Sequence, residues 1–126
     1  METYESLLAA VSVEHGTPVI DPATGEAFAH APRATVADLE HAIEAARSAQ
    51  PAWAALSDEE RCAALSAAAD EIEASAEALA QLIAREQGKP LSGPGARFEA
   101  GAVVGWLRAT VATRLEPEVV VDDGQT

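Results

Sequence analysis

The sequence predicts a mainly α-helical chain: three to four helices, preceded by an amino-terminal β-hairpin and followed by a carboxy-terminal strand. Three observations predict it. Between Ser57 and Pro90 the apolar residues Cys62, Leu65, Ala69, Ile72, Ala76, Leu79 and Ile83 recur at alternating steps of three and four, which sets them on one helical face. Between Thr17 and His30 two short apolar runs flank Asp21-Pro22-Ala23-Thr24-Gly25, a stretch rich in turn formers. From Ala96 to Leu115 a wide apolar stripe returns at helical spacing.

Taken in order, residues 2–11 predict a short helix that turns Leu7, Leu8 and Val11 inward. In the hairpin, Pro22 presets the backbone for the first corner of the turn, Asp21 accepts a turn N–H, and Gly25 supplies a positive φ. Thr35 with Asp38 caps the next helix, whose buried side is Leu39, Ile43 and Ala46 and whose wet side is Glu40, Glu44 and Arg47. Pro51 is expected to end it, and Trp53 to plug the corner before the following helix, mostly buried.

Ser57 and Glu60 form the capping box that opens the central helix, and Gly88 with Pro90 closes it. A break is expected near Ser75, where Ser75 and Glu77 could cap a second segment. Ser92-Gly93-Pro94-Gly95 is a turn, followed by the helix from Ala96 to Leu115. Its stripe comprises Phe98, Ala102 and Trp106 together with Val103, Leu107 and Val111, while Gly101 and Gly105 leave room for a close neighbour. Residues 117–121 read as a strand and residues 122–124 as a turn, with no returning strand after them. An apolar strand left as an open edge recruits other chains, so the sequence reads as cut. The whole is one partial domain, 1–126: a short helix and hairpin over 1–34, a helical region over 35–116, and the final strand over 117–126.

Charge and composition exclude several functions. A net charge of −13, with eight scattered basic residues, opposes binding to phosphate backbones or anionic membrane surfaces. A single cysteine forms no internal disulfide and fits a reducing, cytoplasmic setting. The acidic start, Met1-Glu2-Thr3-Tyr4-Glu5, is unlike a secretory signal, and no apolar run reaches membrane-spanning length.

The candidate chemistry is sparse. Cys62, the only thiol, lies on the inward stripe of a helix with no histidine beside it in sequence, which suits a core residue better than a nucleophile. His15, His30 and His41 fall in different elements without ligand spacing. Gly93-Pro94-Gly95 follows a helix end and leads to Phe98, so it lacks the strand and the third small residue of a dinucleotide-binding turn. Gly88-Lys89-Pro90 lacks the features of a phosphate loop, and Lys89 reads as solvated. The acidic set Asp58, Glu59, Glu60, Asp70, Glu71, Glu73 and Glu77 reads as the wet side of a helix rather than a partner-binding face. No catalytic or cofactor-binding residue emerges.

Taken together, Ile20-Asp21-Pro22-Ala23-Thr24-Gly25-Glu26, then Ala42-Ile43-Glu44-Ala45-Ala46 with Trp53 downstream, then Glu60-Arg61 and Glu86-Gln87-Gly88-Lys89-Pro90, resemble the amino-terminal part of the NAD(P)-dependent aldehyde dehydrogenase superfamily. The resemblance implies a parent enzyme that oxidises an aldehyde to a carboxylic acid. A cysteine thiolate attacks the carbonyl, hydride passes to NAD or NADP, and a glutamate-activated water releases the acid. It also implies that the catalytic cysteine, the glutamate and the cofactor contacts lie outside this sequence. The helices would pack around the cofactor-binding sheet, and residues 118–121 would begin the hairpin of an oligomerisation domain. For the metal site it implies a structural monovalent cation held by the backbone oxygen of Ile20 and the side chain of Glu86, with a further ligand from the rest of the chain.

The expected function is therefore that of an amino-terminal fragment of an aldehyde dehydrogenase, catalytically incompetent alone. Its partner would be the remainder of that chain, or a second copy through Ala96 to Leu115. The alternative expectation is a stand-alone acidic helical protein-interaction module using the same apolar helix.

Overall fold

The computed structural model describes residues 3–113, 120 and 124. The elements run α1 (Tyr4–Val11), β1 (Thr17–Ile20), β2 (Ala27–Ala31), α2 (Val36–Ala55), α3 (Asp58–Ala74), α4 (Ala76–Gln87) and α5 (Ala96–Ala112). Among the described residues five helices form where three to four were expected, for two local reasons. The short α1 has its own capping box, with Thr3 and Ser6 each bonding the other's backbone N–H. The central helix divides at Ser75, but Ser75 makes no side-chain cap bond to α4, so the break does not come from the cap that the sequence suggested.

The other helix signals act through the atoms expected of them. Thr35 with Asp38, and Ser57 with Glu60, bond reciprocally across the first turns of α2 and α3. Gly88 closes α4 in the left-handed conformation at φ 69°, its N–H bonded to the Ala84 carbonyl.

β1 and β2 pair antiparallel as a two-stranded sheet, with Val19 opposite Ala29 and a register shift between Val19 and Ile20. Between the strands, the Asp21 carbonyl accepts from the Gly25 N–H at 2.7 Å, and its carboxylate accepts from the Ala23 N–H at 2.9 Å. Gly25 takes φ 75°, where a side chain would be strained.

Helices α3 and α4 both pack on α5, and α1 packs on α4. Among the described residues the buried apolar side chains are Ala69, Ala78, Ala80, Ala96, Ala100 and Val104; five of the six are alanine, so helix backbones approach closely. Ala76, Leu79, Ile83, Ala84 and Leu91 close around Ala80, Ala96 and Ala100. Gly95, at the start of α5, lies so near Pro90 that a Cβ there would meet the Pro90 carbonyl oxygen at 1.8 Å.

Several sequence expectations fail at the surface, and one is Val11, which was expected to turn inward and is 50% exposed at the end of α1. No residue of α2 is buried: Leu39 and Ile43 are exposed, and Ala46 with them. Trp53 is 43% exposed instead of mostly buried, because no other described element packs extensively against α2. Pro51 does not end α2, which continues to Ala55. On an exposed helix, the carbonyl that loses its bond to proline is hydrated, and that reduces the penalty. In α5 the buried line is Ala96, Ala100 and Val104, with Leu107 and Val111 half-buried, whereas Phe98 is 64% and Trp106 75% exposed. The strand expected at 117–121 lies outside the described residues, except for Val120, which is exposed at a bend.

Candidate functional site

The polar side chains converge most closely where α1, the turn after β1, β2 and the end of α4 meet. Arg85 sits in the last turn of α4. Its Nε donates to Asp21 Oδ2 at 3.2 Å, and its second nitrogen donates to the Tyr4 hydroxyl at 2.8 Å. The guanidinium also lies over the Phe28 ring, 4.5 Å from its centroid. The Tyr4 bond first, and Asp21 with it, raise the Arg85 pKa above its ordinary value. Just beyond, Gly88 runs beside Pro22 with no room for a side chain, a Cβ there coming within 2.9 Å of Pro22 Cγ. The turn is therefore held against the end of α4 by an ion pair and by close packing.

The two residues implied as cation ligands flank this junction. Ile20 ends β1 at the register shift, immediately before Asp21, and Glu86 follows Arg85. Glu86 lines a cavity of about 290 Å³ with Leu8, Val11, Val19, Phe28 and Leu82. Among the described residues its carboxylate has no hydrogen-bond or ion-pair partner. A carbonyl and a carboxylate are hard oxygen donors, the kind an alkali ion takes. They fit in kind but not in number, and no group of three or more His, Cys, Asp or Glu clusters among the described residues.

The remaining candidates have structural roles or none. Cys62 Sγ approaches the Val111 carbonyl oxygen at 3.8 Å, half-buried between α3 and α5. His15 is exposed beside Glu14, His30 lies in β2 and His41 in α2. Lys89 is not simply solvated, as its ammonium bonds Glu99 of α5.

The acidic face of α3 and α4 has more structural work than its sequence suggested. Arg97 bonds Glu77 through two nitrogens, each at 2.8 Å, and Arg108 bonds both Glu73 and Asp70. These pairs tie α5 to α3 and α4. The Arg97 bond, with Gln81 second, lowers the Glu77 pKa to about 2. Sequence reasoning missed Arg85 and the Arg97 and Arg108 ladder; the partners are 20 to 81 positions away, and no local pattern marks them.

The described residues thus form a helical layer and a two-stranded antiparallel sheet, with the one thiol half-buried between α3 and α5. Residues 9–125 match the model of the aldehyde dehydrogenase family, and the chain belongs to that family. Over 72 residues it is 43% identical to a 2-aminomuconic semialdehyde dehydrogenase of Bos taurus, a match covering 57% of this chain and 15% of that protein. It is 44% identical over 84 residues to an aspartate-semialdehyde dehydrogenase (non-phosphorylating) of Halomonas elongata, covering 67% of this chain and 17% of that one. A betaine aldehyde dehydrogenase of Mesorhizobium japonicum is 50% identical over 74 residues, covering 59% and 15%. The chain thus spans about a sixth of the length of the curated relatives it matches. No solved structure matches it.

Proposed function

We propose that this chain is the helical scaffold at the amino-terminal side of an enzyme that oxidises an aldehyde to a carboxylic acid, with nucleophile, base and cofactor contacts supplied by the rest of the polypeptide. The observation that carries the reading is the position of Cys62. Aldehyde oxidation of this kind needs an activated thiolate facing the substrate, whereas Cys62 is half-buried between α3 and α5 with its sulfur against a backbone carbonyl. The hydride acceptor in the complete enzyme would be NAD or NADP. The relatives' names specify chemically different aldehydes, so aldehyde is the substrate class they support in common.

On this reading the exposed face of α5, with Phe98 and Trp106, and the uncovered α2 are surfaces for the remainder of the chain or for a second copy. A lone, unpaired cysteine fits a reducing, cytoplasmic placement. Among the described residues no helix is long and apolar enough to cross a membrane. A monovalent cation would be held by the Ile20 carbonyl and the Glu86 carboxylate, completed by oxygens from elsewhere in the polypeptide. The comparisons lend no support to a self-contained interaction module, since the family match runs through the same apolar helix.

The test is a Cys62→Ser substitution in the full polypeptide, with NAD(P)H formation from an aldehyde as the readout. Activity should survive, and the purified 126-residue chain should show none. Loss of all activity in the folded variant would overturn the proposal.

A further inference from the structure

We infer that α1 and the β1–β2 hairpin form one strap, that Arg85 latches this strap onto α4, and that releasing the latch opens the cavity beneath it. The strap is a unit because its two parts are bonded to each other. The His30 N–H donates to the Ser12 hydroxyl at 3.1 Å and the Val13 N–H to the His30 carbonyl at 3.0 Å, so the residues that follow α1 run on as partners of β2. Gly16 lies so near the end of β2 that a Cβ there would come within 2.1 Å of the Ala31 carbonyl oxygen.

Few contacts hold the strap to the helices. Among the described residues α1 packs on α4, but no helix packs extensively on the hairpin. The hairpin meets α4 through Arg85, which bonds Asp21 at 3.2 Å and lies over the Phe28 ring, and through the close approach of Pro22 to Gly88. The same guanidinium bonds Tyr4 of α1 at 2.8 Å, so a single side chain engages both parts of the strap. Beyond β2 the chain runs through residues 32–35, all exposed, into α2, against which no described element packs extensively. That connection does not press the strap onto α4. The cavity of about 290 Å³ lies at this seam, with Leu8 and Val11 from α1, Val19 and Phe28 from the hairpin, and Leu82 and Glu86 from α4. Its walls come from both sides, so lifting the strap opens it. The Arg85 side chain is 42% exposed, and ion pairs and cation–π contacts at exposed sites are individually weak, so the latch can release while α3, α4 and α5 stay packed.

The experiment is hydrogen–deuterium exchange, read by mass spectrometry, on the full polypeptide as wild type, Arg85→Ala, Tyr4→Phe and Asp21→Asn. An eight-residue helix and a two-stranded hairpin are each marginal alone in water, so release shows as exchange of their amides. Arg85→Ala should speed exchange across residues 4–31 about tenfold and leave α3 and α5 at the wild-type rate. Tyr4→Phe alters the latch only in α1 and Asp21→Asn only in the hairpin, yet each should speed exchange in both parts. Wild-type exchange over residues 4–31 in Arg85→Ala, or an equal rise in α3 and α5, would overturn the latch. Acceleration confined to α1 in Tyr4→Phe, or to the hairpin in Asp21→Asn, would overturn the single strap. Should Arg85→Ala fail to fold, the two conservative variants decide.

Discussion

Ala100 and Gly101 are neighbours in α5 and should respond to enlargement with opposite signs. Ala100 is 2% exposed and packs with Ala80 and Ala96, both at 0%, inside a ring of Leu79, Ile83 and Leu91. Ala100→Leu adds three carbons where helix backbones already meet through alanines, and overpacking of that kind costs about 1–3 kcal/mol. Gly101 faces open space, with nothing within 4 Å of the position its Cβ would take. Gly101→Ala therefore gains helix propensity at no steric cost, about 1 kcal/mol. With about 4 °C of melting temperature per kcal/mol for a chain of this size, Ala100→Leu should melt about 4–12 °C lower and Gly101→Ala about 4 °C higher. Thermal unfolding of the purified chain, followed by far-ultraviolet circular dichroism, measures both. An Ala100→Leu variant that melts at or above wild type would refute the close alanine packing of α4 on α5. A Gly101→Ala variant that melts lower would refute the orientation of α5.

Gly95→Ala should be far more damaging than Gly101→Ala, because its methyl would overlap the Pro90 carbonyl; urea midpoints of the two variants compare them directly. Ser57→Ala should cost about 1 kcal/mol through loss of the α3 cap, read from the same urea titration. On acidification, the Glu77 pair with Arg97 gives its full support above the ordinary glutamate pKa of 4.5 and loses it as the pH falls toward about 2, since the folded value is depressed. A pH series of melting temperatures should therefore fall across that window, and less steeply in Glu77→Gln. Equal slopes would show that the pair carries none of the acid sensitivity.

The helices were legible in the sequence because their signals are local. Reciprocal caps at Thr35 with Asp38 and Ser57 with Glu60, and the left-handed Gly88, each act within four residues. Burial was less legible, because an apolar stripe states that a face will be covered but not by what. Leu39, Ile43 and Trp53 carry the signature of a covered face, yet all three stay exposed and no described element packs extensively against α2. Trp106 is in the same position on α5. The junction at Arg85 was illegible for a different reason. It joins Tyr4, Asp21 and Phe28 across 57 to 81 residues of chain, and an arginine in a last helical turn looks like any other complement to the helix dipole. Family membership was nevertheless readable, because ordered motifs such as Ile20 to Glu26 and Glu86 to Pro90 keep their identity whether or not their surroundings are present.

The most direct test of the central claim is the intact mass of the polypeptide that carries this sequence in its native source. A scaffold serving a larger aldehyde dehydrogenase predicts a mass several-fold above the 13.0 kDa of this chain. A native polypeptide of 13.0 kDa would contradict it.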